Sequence, residues 1–544
     1  MKFKLPPAPA PGSIVWSDEQ EAIFDWFTRG SGNLLVRARA GTGKTTTLLE
    51  GVQRAPEKRI CVAAFNRAIA NELQTRIRAS NVRAQTLHSL GFGIIRDWVP
   101  SVKLDNDTRK HVLAVAAAKQ LGGEGKQASE GVLITIANMH TKIREILGDP
   151  LAIWPEDQAK LEVFDWLMDC DPSLFESLPD TDFWNSERVA EAAFEAVQLA
   201  KGPTEIIDFA DMIFLPVALA WARPRFDLLV VDEAQDMSPL QLELAQLLCK
   251  KRFALVGDDR QAIYGFRGAD VGCLDRLKAE LHAEELHLTT TYRCPQSVVR
   301  LARKYVHDIN CPDDAPEGTA DDEFGETEAL DCMKPGDFLL SRTNAPLAGW
   351  YLALIKNGKA AYIKGHDMSK RALQIVRKLA RGRSEVDIEE LPEALEAWRL
   401  ARHKQIEAKA KDLKKAAARK AKIDDDCAVV KAFLEGSTSY RDLIRRLTQS
   451  GSSDDQPVRS DAVMCSTVHK AKGLEAKTVW LIGSSFSGNV DEQSEESNIC
   501  YVAVTRSKDG LFLLGMSWNR FLRPPAVWER TDCDPDDSPD PFYK

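Results

Sequence analysis

The sequence predicts an α/β fold of two domains, each built on a parallel sheet and each carrying a mainly helical insertion. Three observations predict it. Short apolar runs alternate with loop-and-helix segments up to about Phe92, as in parallel strands joined by crossover helices. From about Phe92 to Pro203 the pattern turns helical, with amphipathic segments carrying Trp154, Trp166 and Trp184, before strands return at Phe226. A second alternating set then opens at Asp337, breaks over about 366 to 455, and resumes at Ala462. The expected domains are 1–95 with 203–288, an insertion over 96–202, a second domain of 289–365 with 456–544, and a reduced insertion over 366–455.

The first dozen residues are rich in Pro and Ala and read as a flexible lead-in. A helix is expected from Ser17, with Asp18 and Glu19 at its positive end. Asn33 to Ala38 reads as a buried strand running into a glycine loop, and Arg59 to Phe65 as a second strand. A helix follows over Asn66 to Arg78, and a third short strand ends near Gln85 to His88. Further strands are expected at Phe226–Val231, Phe253–Val256, Leu286–Leu288, Asp337–Leu340, Ala462–Cys465, Thr478–Ile482 and Leu511–Leu514. Arg399 to Lys422 is basic and Ala-rich and reads as one long exposed helix ending at Ile423-Asp424-Asp425-Asp426. The tail from Thr531 is acidic and reads as flexible.

Composition narrows the function classes. An apolar content of 44% suffices for packed cores. The longest apolar run, Met212 to Ala222, is too short to span a bilayer and contains Pro216. Met1 to Pro7 lacks the hydrophobic region of a secretory signal, so a cytoplasmic or nucleoid-associated location without a membrane partner is expected. The eleven cysteines include no Cys-x-x-Cys and argue against a zinc ribbon or redox pair; Cys61, Cys249 and Cys465 read as small core residues. A net charge of −9 argues against indiscriminate coating of nucleic acid but leaves room for a local basic groove.

The chemistry concentrates in a few motifs. Ala38-Arg39-Ala40-Gly41-Thr42-Gly43-Lys44-Thr45 follows a strand and precedes a helix, the context of a phosphate-binding P-loop. Its first position is Ala, not the Gly of the generic pattern, while Gly41 and Gly43 supply the tight turn. Ala40 to Thr46 would cradle a nucleotide, Lys44 reaching its β- and γ-phosphates and Thr45 ligating Mg²⁺. Asp232 and Glu233 end a strand; Asp232 suits the metal's outer oxygens, and Glu233 suits the orientation and deprotonation of an attacking water. Gln261 is placed to touch the γ-phosphate or that water. Arg293 and Arg506 read as fingers for transition-state charge. Close behind Gln261 come Tyr264, Phe266 and Arg267, suited to unstacked bases, so phosphate chemistry and base gripping lie within one short stretch. Phe65 is a further stacking candidate, with Asn66, His88 and His469 as polar partners.

In order and spacing these motifs resemble superfamily 1A DNA helicases of the UvrD/Rep type over nearly the whole chain. Ala64 to Leu73 and Thr86 to Phe92 lean toward the F-box DNA helicase branch. The shared pieces run from Gln20 through the P-loop, Asp208-Phe209-Ala210-Asp211, Asp232–Asp236, Gly257–Ala269, Tyr292-Arg293, Ser341–Asn344 and Val468–Glu475 to Arg506. The resemblance implies two RecA-like domains that close on ATP and Mg²⁺, with Arg293 and Arg506 reaching in from the second. It implies that Gln20 reads the adenine edge, Tyr292 stacks on the adenine face, and Glu475 meets the ribose or phosphates. It implies 3′ to 5′ movement on single-stranded DNA and at junctions with duplex, by a monomer. Family members often carry tryptophan at the position of Phe266, so a weaker grip is expected here. Two functions follow: an ATP-dependent DNA helicase, or a translocase that displaces proteins or signals to a partner such as a nuclease in defence or repair. The 399–422 stretch would touch duplex ahead of the fork, bind a protein partner as the acidic tail would, or simply join domains.

Overall fold

The computed structural model describes residues 15–123, 126–175, 178, 183–263, 272–380, 383, 386–408, 413–452, 458–486 and 494–521. They form two compact units, Met1–Thr289 and Thr290–Lys544. As expected, each is an α/β body on a parallel sheet.

In the first unit the strands are β1 (Leu34–Ala38), β2 (Ile60–Ala64), β3 (Val82–Thr86), β4 (Lys103–Leu104), β5 (Ile206–Ile207), β6 (Phe226–Val231), β7 (Cys249–Gly257) and β8 (Glu284–Leu288). Six of them make one sheet in the order β3-β2-β6-β7-β1-β8, every pair parallel. Strand side chains alternate between faces, and two cores result. Leu35, Cys61, Ala63, Leu229, Val231 and Leu255 face a core continuous with the helices of 106–200. Val36, Val62, Ala64, Leu228, Val230 and Val256 face a second core under the helices Asp18–Arg29, Lys44–Arg54 and Arg67–Arg76. Buried on both faces, these strands read as continuous apolar runs.

The helical segment between β4 and β5 includes Asn106–Gly122, Glu130–Lys142, Glu156–Cys170 and Ser186–Ala200. β4 and β5 pair in parallel where the chain leaves and re-enters. A buried ionic network ties this segment to the residues after β5. Arg144, wholly buried, donates to Asp208 Oδ2 at 2.7 Å and also meets Asp211. Arg109 donates to Asp211 Oδ2 at 2.8 Å. Arg144 Nη2 lies 3.1 Å from His140 Nδ1, and His140 Nε2 lies 3.1 Å from the Lys110 carbonyl. A guanidinium can only donate, so Nδ1 accepts and Nε2 carries the proton: the imidazole is neutral. Burial first, then the Arg144 charge, push its pKa down to about 3.

The second unit holds β9 (Thr319–Asp321), β10 (Phe338–Ser341), β11 (Ala361–Lys364), β12 (Gly451–Ser452), β13 (Val463–Thr467), β14 (Ala476–Ile482) and β15 (Ser507–Leu514). The order is β12-β11-β13-β10-β14-β15-β9, again all parallel. The chain leaves the sheet after β11 and returns at β12, which pairs with it through Ile363 and Gly451.

Several expectations are corrected here. The basic stretch is not one helix but two, Leu391–Ala408 and Leu413–Glu435, with 409–412 outside the described residues. Two ion pairs link the helices: Arg399 Nη1 meets Asp424 Oδ1 at 2.9 Å and Lys420 meets Glu407, which folds the stretch back on itself. Asp424–Asp426 lie inside the second helix, where Asp425 accepts from the backbone N–H groups of Asn344 and Ala345 and caps the helix Asn344–Lys356. β3 ends at Thr86, within the expected 85–88, and Thr86 caps a helix Leu87–Trp98 that puts His88 on its first turn. β4, β5, β9, β11 and β12 were not expected.

His140 generates a pH prediction. An unfolded histidine titrates near 6.5 and the folded one near 3, so below about 6.5 the unfolded chain takes up a proton that the folded chain refuses. Stability therefore falls with pH through that window, by roughly 2 kcal/mol between pH 7 and pH 5 from this group. Urea denaturation of wild type and His140→Gln at both pH values reads it: the wild-type advantage shrinks by that amount at pH 5. A constant difference would place a titrating histidine there.

Candidate functional site

Parallel register decides which loops meet. Arg37 lies opposite Gly257, and Val231 opposite Leu255. The loops after β1, β6 and β7 therefore leave one edge of the sheet together, at the strands' C-terminal ends, where ligands of such sheets gather. Gly41 and Gly43 hold φ of 74° and 78°, in the left-handed region open to glycine at no steric cost. Gly43 caps the helix Lys44–Arg54 without a side chain, and Thr42 Oγ1 closes the turn on the Arg39 carbonyl at 2.9 Å. Bare helix N–H groups beside a lysine make an anion cradle.

Lys44 Nζ donates to both carboxylate oxygens of Glu233, each at 2.9 Å. Burial alone would pull this ammonium down; Glu233, Asp232 and Asp258 outweigh it and hold it above its usual range. Asp232 is buried, and burial with the neighbouring Glu233 charge pushes it up to about 7 against the pull of Lys44. Glu233 has φ 53°, an uncommon value for a side chain other than glycine. Its Oε2 accepts from Gln235 Nε2 at 2.6 Å, and Gln235 Oε1 accepts from the Asp258 N–H at 3.1 Å. Asp258 Oδ2 in turn accepts from Gln261 Nε2 at 2.7 Å. Lys44, Asp232, Glu233 and Gln261 are thus brought together. Gln20 is buried beside them: it completes a capping box with Ser17, and its Nε2 donates to Thr47 Oγ1 at 2.9 Å. A Cβ on Gly43 would lie 3.8 Å from that nitrogen. Ala40 and Thr42 are buried in the loop, while Thr45 and Thr46 are half-buried on the helix's first turn.

Among the described residues no cluster of three or more His, Cys, Asp or Glu side chains could hold a metal by itself. Magnesium commonly takes one or two protein ligands and completes its shell with water and phosphate. A hydroxyl on Thr45 and a buried, charge-crowded Asp232 fit that donor set.

The strand-binding candidates are spread more widely. Phe65 is half-buried against the core, and the exposed Asn66 accepts from the Ile69 N–H at 2.9 Å, capping its helix. His88 is half-buried, and burial pulls its pKa down. Its ring stands edge-on to Phe209, centroids 5.9 Å apart. Phe209 is 48% exposed although Asp208 and Asp211 on either side are wholly buried. Tyr264, Phe266 and Arg267 lie outside the described residues. In the second unit His469 is pushed down to about 4 by burial, then by Arg342, and is neutral at pH 7.

Arg293, Glu475 and Arg506 also gather. Arg293 Nε meets Glu475 Oε2 at 2.6 Å, and its Nη1 donates to the Thr505 carbonyl at 3.3 Å. Tyr292 is exposed. Arg506 is only 1% exposed: its guanidinium donates to the carbonyls of Val502 at 2.8 Å and Leu474 at 3.2 Å, and to Thr505 Oγ1 at 3.1 Å. In this structure it serves its own unit, not an open surface.

Three contributors escaped the sequence reading. No motif gives Gln235 or Arg39 a role of its own, and Phe209 stands within Asp208–Asp211 without one. An aromatic flanked by two acids that become buried was the available signal for Phe209.

This site on this fold is that of a P-loop nucleotide-binding protein. Two family models match, the UvrD/REP helicase N-terminal domain over residues 16–282 and the UvrD-like helicase C-terminal domain over 356–518. The chain belongs to the UvrD-like family of superfamily 1A. It is 24% identical to F-box DNA helicase protein 1 of Schizosaccharomyces pombe, over 93% of this chain and 58% of that one. It is 26% identical to a probable DNA helicase II homolog of Mycoplasma pneumoniae, over 56% and 44%. It is 23% identical to the putative ATP-dependent DNA helicase YjcD of Bacillus subtilis, over 91% and 78%. The chain thus spans under two thirds of the length of the first two. No helix among the described residues is long and apolar enough to cross a membrane.

Arg506→Ala strips bonds from the buried Val502 carbonyl and Thr505 hydroxyl and the half-buried Leu474 carbonyl, and is expected to cost about 2–3 kcal/mol of stability. Thermal and urea denaturation of the full chain measure it. An unchanged midpoint would mean that this guanidinium holds nothing within its own unit.

Proposed function

We propose that the chain is an ATP-dependent DNA helicase that moves 3′ to 5′ on single-stranded DNA. The observation that carries the reading is the Lys44–Glu233 pair at the mouth of a glycine cradle. A phosphate-binding lysine and a water-activating carboxylate are held in contact, and a nucleotide's phosphates would part them. Thr45 and Asp232 would hold Mg²⁺, which offsets phosphate charge when bound. Once released from Lys44, Glu233 is the base that orients and deprotonates water, with Gln235 bracing it and Gln261 beside it. Gln20 and Tyr292 would contact the adenine, and Glu475 the ribose or phosphates. Arg293, half-buried at its ion pair with Glu475, would release that partner to meet transition-state charge. Arg506 would have to exchange its backbone partners to do the same.

Stacking suits a track without sequence preference. Phe65, His88 and Phe209 supply aromatic and polar surface in the first unit, and Tyr264, Phe266, Arg267 and His469 are assigned to the same track, with Asn66 beside Phe65. A second reading is a translocase that strips proteins or signals to a partner with little unwinding of its own. The inter-helix pairs Arg399–Asp424 and Lys420–Glu407 favour it, because those two cations are engaged within the insertion.

Lys44→Ala should remove DNA-stimulated ATP hydrolysis, measured by phosphate release with and without oligo-dT; unchanged turnover refutes the nucleotide site. Glu233→Gln should abolish turnover yet bind ATP more tightly, by about tenfold, because the competing carboxylate is gone. Equal or weaker binding by equilibrium titration would mean that the pair does not gate the site. Phe209→Ala should weaken single-strand binding by about 1–3 kcal/mol while basal hydrolysis persists. Anisotropy with labelled oligonucleotides checks this, and unaltered affinity removes that ring from the track. Tailed duplexes separate the two readings and the polarity.

A further inference from the structure

Arg39 stands where β1 becomes the glycine loop. Its N–H donates to the Leu288 carbonyl at 2.8 Å, so its backbone still belongs to the sheet. Its guanidinium, 6% exposed as a residue, donates to Asp258 Oδ1 at 3.0 Å and Asp259 Oδ1 at 2.7 Å. Asp259 is shared with Arg37 at 3.1 Å, and Arg37 also grips Glu285 at 2.7 Å and Asp275 at 2.6 Å. Arg37 of β1 and Arg39 just past its end therefore hold the start of the 258–261 turn and the first turn of the helix Cys273–Leu281.

Asp258 is the hub. It is wholly buried, and its second oxygen holds the Gln261 amide while its N–H holds Gln235, which braces Glu233. A buried carboxylate stays ionised only beside a cation. Lys44 contributes while it rests near the acids, but on the nucleotide reading it moves to the phosphates. On the same reading Arg39 stays in place, its backbone held by the Leu288 carbonyl of β8 and its guanidinium by Asp258 and Asp259. An ionised carboxylate only accepts, so it admits one flip of the Gln261 amide, with Nε2 turned inward. On the ATPase reading, the carbonyl end would accept a proton's bond from the reacting water.

We propose that Arg39 is a positioning residue for ATP hydrolysis: by keeping Asp258 a carboxylate while Lys44 is engaged, it fixes the Gln261 amide and the Gln235 brace on Glu233. This rests on the ATPase reading and sharpens it.

Steady-state ATP hydrolysis by the full chain with saturating oligo-dT tests it, reading kcat and KM separately. Arg39→Met, of similar length but unable to donate, should lower kcat about tenfold with KM for ATP within about twofold. Arg39→Lys should stay within about threefold of wild type in kcat, since a cation is retained. Arg39→Met combined with Asp258→Asn should recover to within about threefold, because the Asn carbonyl accepts the Gln261 bond without a charge to compensate. Arg39→Met at wild-type kcat, a loss confined to KM, or a double variant no better than the single overturns the proposal. Should Arg39→Met fail to fold, the double variant and Arg39→Lys decide it: both active supports the assignment, both inactive overturns it. A wild-type chain that does not hydrolyse ATP overturns the parent reading and this one with it. An active wild type with an indifferent Arg39→Met overturns this one alone.

Discussion

The contact between the Lys44 ammonium and the Glu233 carboxylate is the constraint from which the first unit's design follows. A lysine that close to Asp232, Glu233 and Asp258 must be brought there by strands that all end on one side. Only a parallel sheet does that, and parallel strands need crossover helices on both faces. The two cores that cover those faces are therefore part of the site's construction. The same geometry lets the helix Lys44–Arg54 point its uncapped N-terminus at the space above the sheet, where Gly43 replaces a capping side chain.

Around that pair the polar groups form a chain, not a cluster. Lys44 touches Glu233, Glu233 touches Gln235, Gln235 touches the Asp258 backbone, and Asp258 touches Gln261 and Arg39. The bonds run from 2.6 to 3.1 Å and most of the members are buried, where low dielectric strengthens such a chain. Gly257 belongs to this economy of space: a Cβ there would lie 2.4 Å from Gln235 Oε1. The second ionic system, around Arg144, plays a different part. It locks Asp208 and Asp211 under the helical segment and leaves Phe209 between them in solvent, so a costly buried network holds an apolar ring on display.

Much of this was legible in the residues and some was not, for physical reasons. β1, β2, β6 and β7 announce themselves because strands buried on both faces are uninterrupted apolar runs. β4, β5 and β12 have two residues each, too few for any periodicity, and exist because a partner strand passes by. The basic stretch was read as one helix because Ala and Lys favour helix throughout; the reversal is set by pairs such as Arg399 with Asp424, which are distant in sequence. The glycine loop, Asp232-Glu233 and Gln261 stand out because their residue types suit phosphate and water chemistry. Arg506 illustrates the opposite case. Its neighbours in sequence mark it as important, but whether a guanidinium faces outward or caps its own helix depends on the carbonyls of Val502 and Leu474, which no motif reveals. Arg39 escaped for a related reason, since its partners lie some 220 positions away.

What Lys44 does when a nucleotide arrives decides whether the Lys44–Glu233 pair gates the site. A crystal structure of the full chain with a non-hydrolysable ATP analogue and Mg²⁺ measures this directly. The expected result is Lys44 Nζ against the β- and γ-phosphates, Glu233 released toward a water, and Arg39 still bonded to Asp258. An analogue bound elsewhere, with the lysine and Glu233 still joined, would contradict it.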